Sequence, residues 1–287
     1  METKAYGQFE ENTADSRTTE RAAGKRIAIV TGASSGLGRE FIRQMDADNR
    51  EYDEFWVIAR RKERLEELQE GTRTPLRVLP YDLTDKAAIQ EIRALLEEEK
   101  PDVRLLINAA GFGKIGSYAE IPLEQIDNMI DLNCRAAVDM SQICIPFMRE
   151  NSHICEICSV AAFQPIQYMN VYAASKSFLY RYSRALRIEL LPRKIYVTAV
   201  CPYWVKDTEF IPTAADETEG GSKAYFASFP FASTMDIVVS KALLTTKLGL
   251  AVCTPNPIAA LDRFFGKIFS SDIMMGIMAL VRRIPGR

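Results

Sequence analysis

Residues 26–38 read RIAIVTGASSGLG, a β-branched apolar run that passes straight into a turn carrying Gly32, Gly36 and Gly38. A run of this kind, bounded by glycine, predicts a buried strand followed by a tight turn and the start of a helix. The three glycines serve a tight turn, close approach of the backbone to a ligand, and close packing of helix on strand. The first amides of the helix are left free to face an anion such as a pyrophosphate. A lone glycine turn is a weak signal; one that ends a strand and opens a helix in a βαβ unit is a dinucleotide-binding fingerprint. Ser34, Ser35 and Leu37 sit in the same turn and join the three glycines as candidate cofactor contacts.

The same alternation extends along the chain. Strand-like runs at 26–31, 54–59, 76–81, 104–108, 153–159, 195–201 and 250–254 are separated by segments of helical period such as RKERLEELQE and DKAAIQEIRALLEEE. Apolar strands joined by amphipathic helices imply parallel strands covered on both faces. The expected fold is therefore α/β, a Rossmann-like doubly wound parallel sheet of about seven strands, in one domain over 25–255. Residues 1–24 lack an apolar period and read as a disordered arm. Residues 256–287 form a helical extension beyond the two prolines of CTPNP.

Composition narrows the function. The chain has 287 residues, 47% of them hydrophobic, and a formal net charge of −2. That is ample for a sizeable core and gives no electrostatic pull toward nucleic acid. Six scattered cysteines, with a polar and charged N-terminal stretch rather than an apolar leader, predict a reducing cytoplasmic setting. Cys155 and Cys158 lie close to His153, the single histidine. Side chains three apart on a strand point to opposite faces, and no second ligand pair is nearby, so no metal site is expected.

Two further stretches carry chemistry. Where an NAD enzyme usually places an acid for the ribose 2′-hydroxyl, this chain has Arg60 and Arg61. Guanidiniums match a 2′-phosphate and oppose the macrodipole of the helix they open, so NADP(H) is the expected cofactor. In YAASK, Tyr172 and Lys176 stand four apart at the start of a helical run, which puts them on one face. By itself such a pair is more often an exposed face with a packed ring.

Taken in order, these motifs resemble the short-chain dehydrogenase/reductase family in its compact single-domain branch, over roughly residues 25–255. TGASSGLG matches the family's cofactor turn, and YDLTD sets Asp82, with Leu83, where the family contacts adenine. NAAG, spanning Asn108, Ala109, Ala110 and Gly111, matches the motif that supports the central sheet and lines the cofactor. DLNCRAA puts Asn133 on the long interface helix, Ser159 ends the fifth strand, and Tyr172 follows 13 residues later. The resemblance implies a catalytic tetrad of Asn133, Ser159, Tyr172 and Lys176. It further implies carbonyl–alcohol interconversion by hydride transfer and a homodimer or homotetramer built on the helices carrying Asn133 and Tyr172.

In that scheme Lys176 makes Tyr172 a usable acid and holds the nicotinamide ribose. A phenol ordinarily titrates near 10, and an ammonium about 5 Å away contributes roughly 3 kcal/mol, about two pKa units, toward neutrality. Ser159 bonds the substrate oxygen, and Asn133 holds a water that links Lys176 to solvent. One departure stands out: the family's Pro-Gly after the sixth strand is here Pro202-Tyr203. Val205 and Thr208 remain the carboxamide-side candidates, while Tyr203 and Trp204 are placed to wall the substrate pocket.

The connection 209–235 is long, and Phe210, Tyr225, Phe226, Phe229 and Phe231 give it a greasy character suited to a cover over the substrate. The apolar C-terminal extension admits three readings: a helix pair closing the pocket, a subunit contact, or a peripheral membrane-surface element. A lipophilic ketone, steroid-like or fatty-acyl, suits this surface character. Competing functions are a regulatory module that binds NADP without turnover and a sugar-nucleotide epimerase. The intact tetrad argues against the first, and the short chain beyond the last strand against the second.

Overall fold

The computed structural model describes residues 24–47, 51–209 and 231–282. The N-terminal arm other than Gly24, and Phe210, Tyr225, Phe226 and Phe229 of the proposed cover, lie outside these residues. The strands are β1 (Arg26–Thr31), β2 (Glu54–Ile58), β3 (Leu76–Leu79), β4 (Asp102–Asn108), β5 (His153–Ile157), β6 (Tyr196–Val200) and β7 (Val252–Cys253). They form one sheet in the order β3-β2-β1-β4-β5-β6-β7 with every pairing parallel. Each expected strand is present, most of them a residue or two shorter at their ends.

Strand alternation divides the core between the two faces. On β1, Ile27 and Ile29 join the cluster on one side of the sheet, whereas Ala28 and Val30 join the cluster on the other; on β2, Trp56 and Ile58 oppose Phe55 and Val57. The first cluster is completed by α3 (Lys86–Glu99), α5 (Ala137–Cys144) and α6 (Asn170–Leu190), through residues such as Ile92, Met140 and Leu186. On the opposite face lie α1 (Gly36–Ala47), α2 (Lys62–Glu70) and α7 (Met235–Lys247), through Phe41, Leu65 and Val239. Both faces of every central strand are thus buried, which is why these strands are continuous apolar runs.

Residue Asn133 does not sit in a regular helix. The chain runs through α4 (Leu123–Ile130), widens into a π-helical turn over Asp131–Ala136, and resumes as α5. Beyond β7, Asn256 accepts a hydrogen bond from the Ile258 amide at 2.8 Å and caps α8 (Pro257–Ile268), which is followed by α9 (Ser271–Arg282). Helix α8 docks through Ala259 and Gly266; a Cβ on Gly266 would come within 3.1 Å of the Phe163 carbonyl oxygen. Its Phe264, Phe265 and Ile268 remain exposed.

Candidate active site

Strand order reverses between β1 and β4, and a parallel sheet opens a crevice at the carboxyl ends of its strands where this happens. A cavity of about 680 Å³ lies there. The first turn fits tightly beneath it: Gly32 has φ +69°, and a Cβ on it would stand 2.8 Å from the Ala110 amide nitrogen. Thr31 Oγ1 accepts from that same amide at 3.0 Å. Gly38 allows α1 to pack within reach of the Gly32 carbonyl, since a Cβ there would lie 2.3 Å from its oxygen. Among the described residues, nothing beyond its chain neighbours lies within 4 Å of where a Cβ on Gly36 (φ +53°) would be, so the backbone lies open to the cavity. A cradle of this shape fits a pyrophosphate, whose oxygens need bare backbone amides.

The cavity gathers residues from the ends of β1 to β6. It is lined by Gly32, Ser34, Ser35, Gly36, Leu37 and Gly38 after β1, by Arg60 and Arg61 after β2, and by Asp82 and Leu83 after β3. Ala109, Ala110 and Gly111 line it after β4, Ser159 after β5, Tyr172 and Lys176 from α6, and Pro202, Val205 and Thr208 after β6. Asn108 and Asn133 do not line it. Asn108 lies beneath, its amide donating to Ala137 O at 3.2 Å, Ser141 Oγ at 3.1 Å and Glu156 Oε1 at 3.0 Å. It ties β4 to β5 and α5, because a polar group this deep must spend its bonds on protein partners.

Asn133, set back from the cavity, is fully buried. Its Oδ1 accepts from the Phe112 amide at 3.0 Å, and its Nδ2 donates to Phe112 O at 2.8 Å and Ser175 Oγ at 3.0 Å. Gly111 makes room for this arrangement: a Cβ there would lie 2.7 Å from Asn133 Oδ1 and 3.3 Å from Lys176 Nζ. Lys176 Nζ donates to the Ile157 carbonyl at 2.8 Å and stands 5.9 Å from the centre of the Tyr172 ring. Burial lowers the Lys176 pKa below the ordinary lysine value. Ser159 Oγ accepts from Ala161 N at 3.2 Å and caps the short turn after β5.

The phenol departs from expectation. Burial pushes the Tyr172 pKa up to about 12, against a lowering contribution from its hydrogen bond with Ser159. Desolvation of the phenolate outweighs the hydrogen bond with Ser159, and the Lys176 ammonium is engaged by the Ile157 carbonyl.

At the far end of the cavity, Arg61 Nη2 donates to Ser35 Oγ at 2.8 Å and Ser34 Oγ at 3.3 Å. Arg60 instead faces Asp82 at 3.7 Å, with its side chain 75% exposed. Only Arg61 therefore meets the glycine turn. Near the other end, Tyr203 and Trp204 line the cavity with Phe112, Ile166 and Met169. The backbone there is pinned by Ser233, whose amide donates to Trp204 O at 2.9 Å and whose carbonyl accepts from Lys206 N at 3.0 Å.

Sequence reasoning missed Lys114, which lines the cavity while only 6% exposed, Ser175 behind Asn133, and Glu209 beside Arg61. No local pattern marks any of them.

A protein-family model described as short chain dehydrogenase matches residues 26–219. The chain belongs to that family and is an oxidoreductase of the short-chain dehydrogenase/reductase type. It is 35% identical over 193 residues to the NADP-dependent 3-hydroxy acid dehydrogenase YdfG of Escherichia coli, covering 64% of this chain and 74% of the relative. Among solved structures, a short-chain dehydrogenase from Sphingobium yanoikuyae in complex with NADPH superposes with TM-score 0.70 at 27% identity, covering 88% of this chain and 95% of that one. The bulky-bulky ketone specific alcohol dehydrogenase from Comamonas testosteroni superposes with TM-score 0.67 at 25% identity, covering 91% and 95%.

Proposed function

We propose that the protein interconverts a carbonyl and a secondary alcohol with NADP(H), with Tyr172 as the proton donor and acceptor. The observation that carries this reading is the placement of the Tyr172 phenol, hydrogen-bonded to Ser159, with the Lys176 ammonium 5.9 Å from its ring in a cavity that ends at Arg61. A nicotinamide bound in this cavity would supply or receive the hydride. A phenol with its pKa near 12 is protonated at neutral pH, so in reduction Tyr172 hands its proton to the oxygen that becomes the alcohol. Ser159 donates a hydrogen bond to the same oxygen. Lys176 stabilises the phenolate left behind and holds the nicotinamide ribose, while Asn133 and Ser175 fix the start of α6.

Arg61 with Ser35 suits the 2′-phosphate, and the naming of NADP for YdfG and of NADPH for the Sphingobium protein supports this choice. The aromatic wall of Phe112, Tyr203 and Trp204 favours a lipophilic ketone, of fatty-acyl or steroid-like class. Purified protein given NADPH and separate ketosteroids, 3-oxoacyl thioesters, sugars and small aldehydes should lose nicotinamide absorbance fastest with the bulky ketones. Tight NADPH binding without oxidation by any carbonyl would instead mark a cofactor-binding module.

A further inference from the structure

Glu209 closes the Arg61 end of the cavity, and both of its carboxylate oxygens are taken by guanidiniums. Oε1 lies 2.7 Å from Arg64 Nη1, and Oε2 lies 3.3 Å from Arg61 Nη1. Arg61 Nη2, which also reaches Ser35 at 2.8 Å, stands 3.4 Å from the same Oε2. The hydrogen bond from Arg64, with that from Arg61, holds the Glu209 carboxyl below the ordinary carboxylate range. A carboxylate shared between two forked cations and flanked by a serine hydroxyl occupies the kind of position a phosphate monoester takes.

We propose that Glu209 is an internal occupant of the 2′-phosphate site, one that a bound NADP(H) must displace from Arg61 and Arg64. This inference rests on the NADP(H) reading above. A dianionic phosphate and a carboxylate cannot share two guanidiniums without like-charge repulsion. Glu209 can leave at little cost, because its side chain is 54% exposed and an ion pair of that exposure is weak. Arg64, which belongs to no cofactor motif, then becomes a phosphate contact. NAD(H) has no phosphate to place there and leaves the carboxylate where it is. Glu209 thereby moderates the preference for NADP(H) that Arg61 creates.

The test is fluorescence titration of NADPH and NADH into the wild type, Glu209→Gln, and the pair Glu209→Gln with Arg64→Ala. Tighter binding of NADPH than NADH by the wild type checks the cofactor reading separately. Glu209→Gln should then tighten NADPH at least threefold and leave NADH within 1.5-fold. Adding Arg64→Ala to that variant should weaken NADPH at least threefold, again without effect on NADH. Unchanged or weaker NADPH binding in Glu209→Gln overturns the proposal. So does a loss of NADH affinity, which would make Glu209 an acceptor for the ribose 2′-hydroxyl. No further loss from Arg64→Ala overturns the assignment of Arg64.

Discussion

Tyr172 keeps its proton because burial costs the phenolate more than Ser159 returns, and this gives the two directions of the reaction opposite pH dependences. Reduction uses the protonated phenol and should be flat through neutrality, falling only as the pH nears the phenol's pKa. Oxidation uses the phenolate and should rise with pH over the same range. Tyr172→Phe should bind NADPH as the wild type does and lose kcat by roughly 10²- to 10⁴-fold in both directions, measured by steady-state kinetics beside a cofactor titration. A second buried group should speak through stability. Burial raises the Glu156 carboxyl to about 7 from an ordinary 4.5, against hydrogen bonds from Asn108 and Ser141. The folded protein therefore takes up a proton between these values. Stability from this group is full below pH 4.5 and is lost as pH rises through about 7, a change of roughly 3 kcal/mol. Urea unfolding of wild type and Glu156→Gln at several pH values should show the difference between them changing over this window. Parallel pH profiles would mean that Glu156 is already ionised below it.

At the scale of elements, the site depends on where β4 and the α4–α5 run come together. Gly111→Ala would push a methyl group to 2.7 Å from Asn133 Oδ1 and 3.3 Å from Lys176 Nζ. Crowding of that kind costs about 1–3 kcal/mol, so the variant should melt lower and lose kcat at least tenfold. Wild-type melting and turnover would show that the neighbours yield freely. The seven strands were legible because β-branched runs buried on both faces leave no other place for their side chains. The Tyr172–Lys176 pair was legible because four-residue spacing on a helix fixes a shared face. The π-helical turn at Asn133 was not legible, since DLNCRAA keeps an ordinary helical pattern and the widening is set by contacts with Phe112 and Ser175. The contact between Arg61 and Glu209 joins residues 148 apart, a pairing that no local periodicity encodes. Asn108 resembles a cofactor contact by its neighbours Ala109 to Gly111, yet strand alternation turns it beneath the sheet's end to Ser141 and Glu156.

In the whole molecule, one sheet brings the end of every strand but β7 to a single crevice, and the helices on both faces leave apolar side chains outside. Phe178 and Ile188 on α6 are 49% and 62% exposed, which suits burial against a second copy. Among the described residues no helix is long and apolar enough to cross a membrane. The protein should scatter light as a dimer or tetramer, and Ile188→Glu should shift it toward monomer; a wild-type monomer would contradict that assembly. The claim that joins cavity, tetrad and arginine is hydride transfer to a carbonyl carbon. Its most direct test follows the label: NADPH carrying deuterium at both positions of the transferring ring carbon is incubated with protein and a bulky ketone, and the alcohol is analysed by mass spectrometry. One deuterium at the carbinol carbon is expected with the wild type, and only trace product with Tyr172→Phe. Alcohol formed without deuterium, or labelled equally well by the variant, would contradict it.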